Sequence, residues 1–380
     1  MSQSKKAIFT IVAFIIFFIL IELGLRAFDF VNKAKENPRL QFAIYENQSW
    51  IRRVYKEYAS VNIKFSRYVH YQAILVSGEY VNASPDGLRK TWNPAEFVES
   101  KPKQVSIFGG STIFGWVDTR DDYTIPSQVS KLINQTQPKF TLSNYAQPAY
   151  NSNQALVKLI FLLKKGLRPD HVVFYGGYND VIGSYEGNDP DAFISEGWIK
   201  EKLEASNLKL TSFILKNLIR DNCRTCVALT TLVRKSSPGF ARVAEIKGFN
   251  LDDAKVALLA GDIKDGYLSL LSMLDKLSSA YSFKYSVIWQ PSLFLEENMI
   301  GEEEKLKDLD WRMKDQNLAK LYKYTNQEIR TIRSKNFFDF SKILYNRSEQ
   351  LYLDSVHVTE NGNAIVSSEI VSILNLGKPR

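Results

Sequence analysis

The chain predicts an α/β fold: a three-layer α/β/α sandwich around a central parallel sheet, with one apolar helix at its N-terminus. Two observations carry the sandwich. Short strand-like runs alternate with helical stretches along the chain, and glycines and polar side chains gather where several of those runs end. Parallel α/β sheets build their sites at those carboxyl ends. The third observation is the uncharged stretch Ala7 to Ile21 behind Lys5 and Lys6.

That first stretch reaches the roughly 20 residues of a spanning helix by including Glu22 near one interface. A cleaved signal peptide has a shorter apolar region ending in small residues, and no Ala-x-Ala pattern follows here. The expectation is an uncleaved anchor over residues 1–28. Basic residues lie on both sides, Lys5 and Lys6 before and Arg26, Lys33, Lys35 and Arg39 after, so the positive-inside count does not decide orientation.

Residues 29–100 are rich in tyrosine, phenylalanine and charge, and read as an accessory lead-in packed on the main domain, with a strand and turn over Tyr80–Arg89. The main domain is expected over 101–380. Val105–Phe108 leads to a helix near Ile125–Asn134, and Phe140–Tyr145 to one near Asn153–Lys165, with Leu156, Leu159, Ile160 and Leu163 on one face. The strand over Val172–Gly176 comes next. An irregular insertion occupies about 181–250, with short amphipathic pieces at Phe213, Ile214 and Leu218. A long helix is expected over Ala254–Tyr281, a strand over Lys284–Gln290, a helix over Asp310–Ser334 and a strand over Asn336–Phe340.

Composition is that of an ordinary globular protein, 45% hydrophobic and 24% charged. The net charge of +8 comes from basic residues that alternate with acids, and no nucleic-acid motif accompanies them, so nucleic acid is not an expected partner. The only two cysteines, Cys223 and Cys226, form one Cys-x-x-Cys. Zinc needs four ligands and no second pair exists. In an exported protein the plain reading is a local disulfide.

Four blocks carry chemistry. Gly109-Gly-Ser111-Thr follows the first strand. Asn144-Tyr-Ala-Gln-Pro-Ala-Tyr-Asn-Ser152 follows the second. Gly176-Gly-Tyr-Asn-Asp180 follows the third, and Asp354-Ser-Val-His357 precedes the last helix. A serine hydroxyl becomes a nucleophile when a base takes its proton and a third group orients that base. Three histidines are available. His171 opens a strand, at the wrong end of a parallel sheet, and His70 lies in a tyrosine-rich accessory stretch. His357 has a carboxylate three residues before it, on a loop between a strand and a helix, and is the expected base. Acyl transfer also needs donors aimed at the developing oxyanion. The candidates are the Ser111 N–H, a backbone N–H of the Ala146–Ala149 turn, and the Asn179 side-chain amide. The ordinary reading of Asn179 and Asp180 is a self-bonded turn and a helix cap.

In this order the four blocks resemble the SGNH, or GDSL-type, hydrolases, over Val105 to about Ile370. The resemblance implies a Ser111–His357–Asp354 triad and an oxyanion hole of Ser111, Ala149 and Asn179, with no metal or organic cofactor. It also implies N-in topology and a catalytic domain outside the cytoplasm. The chain departs from the family where Ala149 stands at a position usually glycine, with Ala146 where a second glycine is common. An N–H survives that change, but a methyl group disfavours positive φ and narrows the space beside the reacting carbon. The activity implied is hydrolysis of O-acyl esters, acetyl among them, on exported or envelope glycans. Acyl transfer to a sugar hydroxyl, lipid or thioester hydrolysis, and a catalytically silent glycan-binding role are the alternatives, with an acylated carbohydrate or lipid as partner.

Overall fold

The computed structural model describes residues 3–32, 38–74, 76–116, 119–203, 222–228 and 252–375. It contains two compact units, one of 1–41 with 197–247 and one of 42–196 with 248–380. The pieces at Phe213, Ile214 and Leu218 lie outside the described residues.

In the first unit the helix Gln3–Asn32 is apolar and long enough over Gln3–Phe28 to cross a membrane, with mean hydropathy 2.8. Glu22 interrupts its apolar surface and is fully engaged. Its carboxylate accepts from the backbone N–H groups of Arg224 (2.9 Å) and Thr225 (2.7 Å) and pairs with Arg26 at 2.8 Å. Cys223 and Cys226 are joined by a disulfide with Cα atoms 5.3 Å apart, beside these contacts.

The second unit is built on two antiparallel pairs and one parallel sheet. The lead-in supplies β1 (Asn62–Ser66), β2 (His70–Ile74), β3 (Val76–Ser77) and β4 (Asn82–Ala83). The central strands are β5 (Lys103–Gly109), β6 (Phe140–Asn144), β7 (His171–Gly176), β8 (Lys284–Trp289) and β9 (Phe337–Asp339). They lie in the order β6-β5-β7-β8-β9 and every pairing is parallel. Strand residues alternate between two cores, as a period of two requires. Phe108, Val172, Phe174, Val287 and Trp289 face the helices Ser152–Lys164, Tyr178–Gly187, Asp253–Tyr281 and Gln316–Ile329. Val105, Ile107, Val173, Tyr175 and Ile288 face Ile125–Ile133, Trp50–Tyr58 and Glu360–Asn375. The three-layer sandwich is thus present, and apolar burial on both faces is what holds it.

The single helix expected over Asp310–Ser334 is instead two. Trp311–Lys314 ends at Asp315, whose carboxylate accepts from Asn317 N–H and Leu318 N–H and starts Gln316–Ile329. A cap outcompetes continuation there, because a short carboxylate satisfies the new helix's orphan donors. The lead-in docks through buried polar groups: Gln147 accepts from Ala73 N–H at 2.6 Å, and Gln154 donates to the Val69 carbonyl at 3.0 Å.

His171 opens β7, with its Nε2 3.0 Å from Ser286 Oγ. Burial, with Lys284 nearby, holds its pKa down to about 4 from 6.5. The unfolded chain takes up this proton near pH 6.5 while the folded chain stays neutral. Its contribution is therefore full above 6.5 and is lost as pH falls toward about 4, on the order of 3 kcal/mol. Replacing His171→Gln should flatten the fall in thermal midpoint between pH 6.5 and 4.5. Equal slopes in both proteins would refute this account of His171.

Candidate active site

The sheet's order reverses at β5, which has β6 on one side and β7 on the other, so a crevice opens at their carboxyl ends. Ser111 stands there at the start of the one-turn helix Ser111–Phe114. The turn requires its glycines. A Cβ on Gly109 would collide with the Tyr175 carbonyl, and one on Gly110 with the Asn179 amide nitrogen. Gly177, at φ 120°, packs against the buried Trp289 ring and closes the next turn.

His357 reaches this point from the other end of the chain. Its Nε2 lies 2.8 Å from Ser111 Oγ and its Nδ1 2.7 Å from Asp354 Oδ2. The second Asp354 oxygen accepts from the backbone N–H of Val356 (2.8 Å) and of His357 (2.7 Å), so the carboxylate folds the loop as well as facing the ring. With a carboxylate at Nδ1, that nitrogen carries the proton and Nε2 is left to accept from the serine hydroxyl. Ser111 and His357 are partly exposed and reachable by a substrate. The loop is pinned beyond this by Arg120, which forks onto Glu360 with bonds of 3.0 and 2.6 Å just past His357.

Asn179 lies against Gly110, and its Nδ2 donates to the Tyr150 carbonyl at 2.8 Å. That bond ties the third block to the second and leaves the other Nδ2 proton for a ligand. Ala149 takes φ 60°, the left-handed region that a methyl group disfavours. Pro148 and Ala149 are the middle residues of a turn in which Tyr150 N–H donates to Gln147 C=O at 3.3 Å. Proline second and positive φ third is the pattern of a type II turn, and this is the physical reason for a glycine preference here. The surrounding bonds hold Ala149 in it at a cost of about 1–2 kcal/mol.

Asp180 does more than cap its helix. It is buried, and accepts from Gly177 N–H (3.2 Å), Ser152 N–H (2.9 Å), the Ser152 hydroxyl and Tyr267 Oη (3.3 Å). Burial pushes its carboxyl above the usual range while these donors pull the other way. Behind the Ser111 turn, Arg89 is buried against Asp121 at 2.7 Å and donates to the Phe114 and Thr119 carbonyls. No local pattern marks Arg89 in the sequence. The other two histidines are remote from Ser111 in role: His171 is in the sheet, and His70 stacks on Phe193 at 4.1 Å. Among the described residues no group of three or more His, Cys, Asp or Glu is arranged to hold a metal.

No protein-family model matches the chain, and no curated protein does. Among solved structures it is similar to an acetyl xylan esterase, at 15% identity over 71% of this chain and 98% of the other, with a TM-score of 0.39. It is similar to a member of the lipolytic protein G-D-S-L family from Veillonella parvula DSM 2008, at 10% identity over 72% and 98%, TM-score 0.37. A lipase/acylhydrolase from Enterococcus faecalis aligns at 15% identity over 73% and 98%, TM-score 0.35.

Proposed function

We propose that this chain is a serine esterase of the SGNH type. The observation that carries the reading is the unbroken line from Ser111 Oγ through His357 to Asp354, at 2.8 and 2.7 Å, at the switch point of a parallel sheet. Ser111 Oγ attacks an ester carbonyl while His357 Nε2 takes its proton. The N–H groups of Ser111 and Ala149 and the free Asn179 Nδ2 proton hold the resulting oxyanion. Collapse expels the alcohol, protonated by His357, and leaves an acyl-enzyme. Water, deprotonated by the same imidazole, then releases the acid. Asp354 keeps the imidazole oriented and stabilises its charged form.

The substrate class is O-acyl esters of exported or envelope glycans. Support for the location comes from the helix Gln3–Phe28, taken as a membrane anchor with residues beyond about Asp29 outside the cytoplasm. Acetate released from an acetylated oligosaccharide tests the reaction; transfer of the acetyl group to an added sugar in place of water would move the assignment to an acyltransferase. A reporter active only after export, fused beyond Arg380, should be active. Activity confined to a cytoplasmic reporter would reverse the topology and remove the envelope substrate.

A further inference from the structure

Ser355 lies within the Asp354–His357 segment, is 1% exposed, and is held from several directions. Its Oγ is 2.5 Å from Tyr178 Oη and 2.7 Å from Asp310 Oδ2, and its N–H donates to that same Asp310 oxygen at 3.3 Å. Its carbonyl accepts from Leu293 N–H (3.0 Å) and the Ser292 hydroxyl (2.8 Å). The direction of this chain follows from donor counting. An ionised Asp310 only accepts, so the single Ser355 hydroxyl proton goes to it, and Tyr178 must donate to Ser355. Burial pushes the Tyr178 phenol well above its usual range, so it keeps the proton it donates.

The placement of the three residues gives the chain its consequence. Tyr178 immediately precedes Asn179, and Ser355 immediately follows Asp354. The other Asp310 oxygen accepts from Arg312 N–H at 3.1 Å and caps the helix Trp311–Lys314, which fixes the carboxylate from a third element. We propose that Ser355 is a positioning residue, through which Asp310 and Tyr178 hold the His357 loop and the Asn179 turn in one register. The role rests on the esterase reading and acts through His357 and Asn179, with no contact to substrate. Small errors in the placement of reacting groups cost rate more than binding.

The test uses the full chain and two readouts: ester kinetics, and the downfield proton resonance of the His357 Nδ1–H facing Asp354. In Ser355→Ala, kcat should fall about tenfold to hundredfold with KM within about twofold, and the downfield resonance should weaken or vanish. Tyr178→Phe removes one donor and leaves the Ser355–Asp310 bond, so kcat should fall only several-fold with the resonance retained. A folded Ser355→Ala protein with lowered thermal midpoint but unchanged kcat and resonance has lost structure alone, and overturns the proposal. If Ser355→Ala does not fold, Tyr178→Phe decides, and an unchanged kcat there overturns it. An unaltered protein that hydrolyses no ester refutes the esterase reading, while the resonance in Ser355→Ala still decides whether Ser355 positions His357.

Discussion

Replacing Ser111→Ala is expected to reduce hydrolysis of a short aryl ester by about 10⁴-fold or more. The reason is that no second hydroxyl stands where His357 can deprotonate it; the imidazole Nε2 faces Ser111 Oγ at 2.8 Å. His357→Ala should cost nearly as much. The two losses should not add, since the serine is a poor nucleophile without its base and the base has nothing to activate without the serine. The double variant is therefore expected within about threefold of either single one. Residual activity close to the unaltered enzyme in Ser111→Ala removes the serine from the mechanism.

For Asn179→Ala the expected loss is about 10²–10³ in kcat with little change in KM. One Nδ2 proton is already committed to the Tyr150 carbonyl, so the amide is oriented before substrate arrives. The remaining proton meets full negative charge only in the tetrahedral state, which is why the effect belongs to kcat. Removing the side chain also strands that carbonyl and opens space beside Gly110, so the thermal midpoint is measured alongside the rate. A folded variant with unchanged kcat would show that Asn179 only shapes its turn, and would leave the oxyanion to backbone donors.

Much of this site could be read locally because each block is short, contiguous and at a strand end. Gly109 to Ser111, Gly176 to Asn179, and Asp354 to His357 each combine a turn requirement with a chemical group, and three histidines leave few choices of base. The supporting contacts are different in kind. Arg89 meets Asp121 across 32 residues, and Arg120 meets Glu360 across 240. Asp310 meets Ser355 across 45. Charged and polar residues at such separations look like ordinary surface positions until the fold brings them together. Ser355 had one local signal, its place between Asp354 and His357, but a serine in a loop is unremarkable by type. The helix break at Asp315 was hidden for a related reason. Leu318, Leu321 and Tyr322 continue an apolar pattern that begins before it, and periodicity does not register a cap. Ala149 shows the opposite limit. The family pattern pointed to strain at this position, and only the backbone reveals that the chain accepts φ 60° there.

The central claim is that Ser111 is a nucleophile activated by His357. Its most direct test is covalent labelling of the full chain with a fluorophosphonate, followed by mass spectrometry of the labelled peptide. The account predicts one adduct, on Ser111, that is absent in Ser111→Ala and nearly absent in His357→Ala. No adduct on a folded protein, or an adduct on another serine that persists in Ser111→Ala, would contradict it.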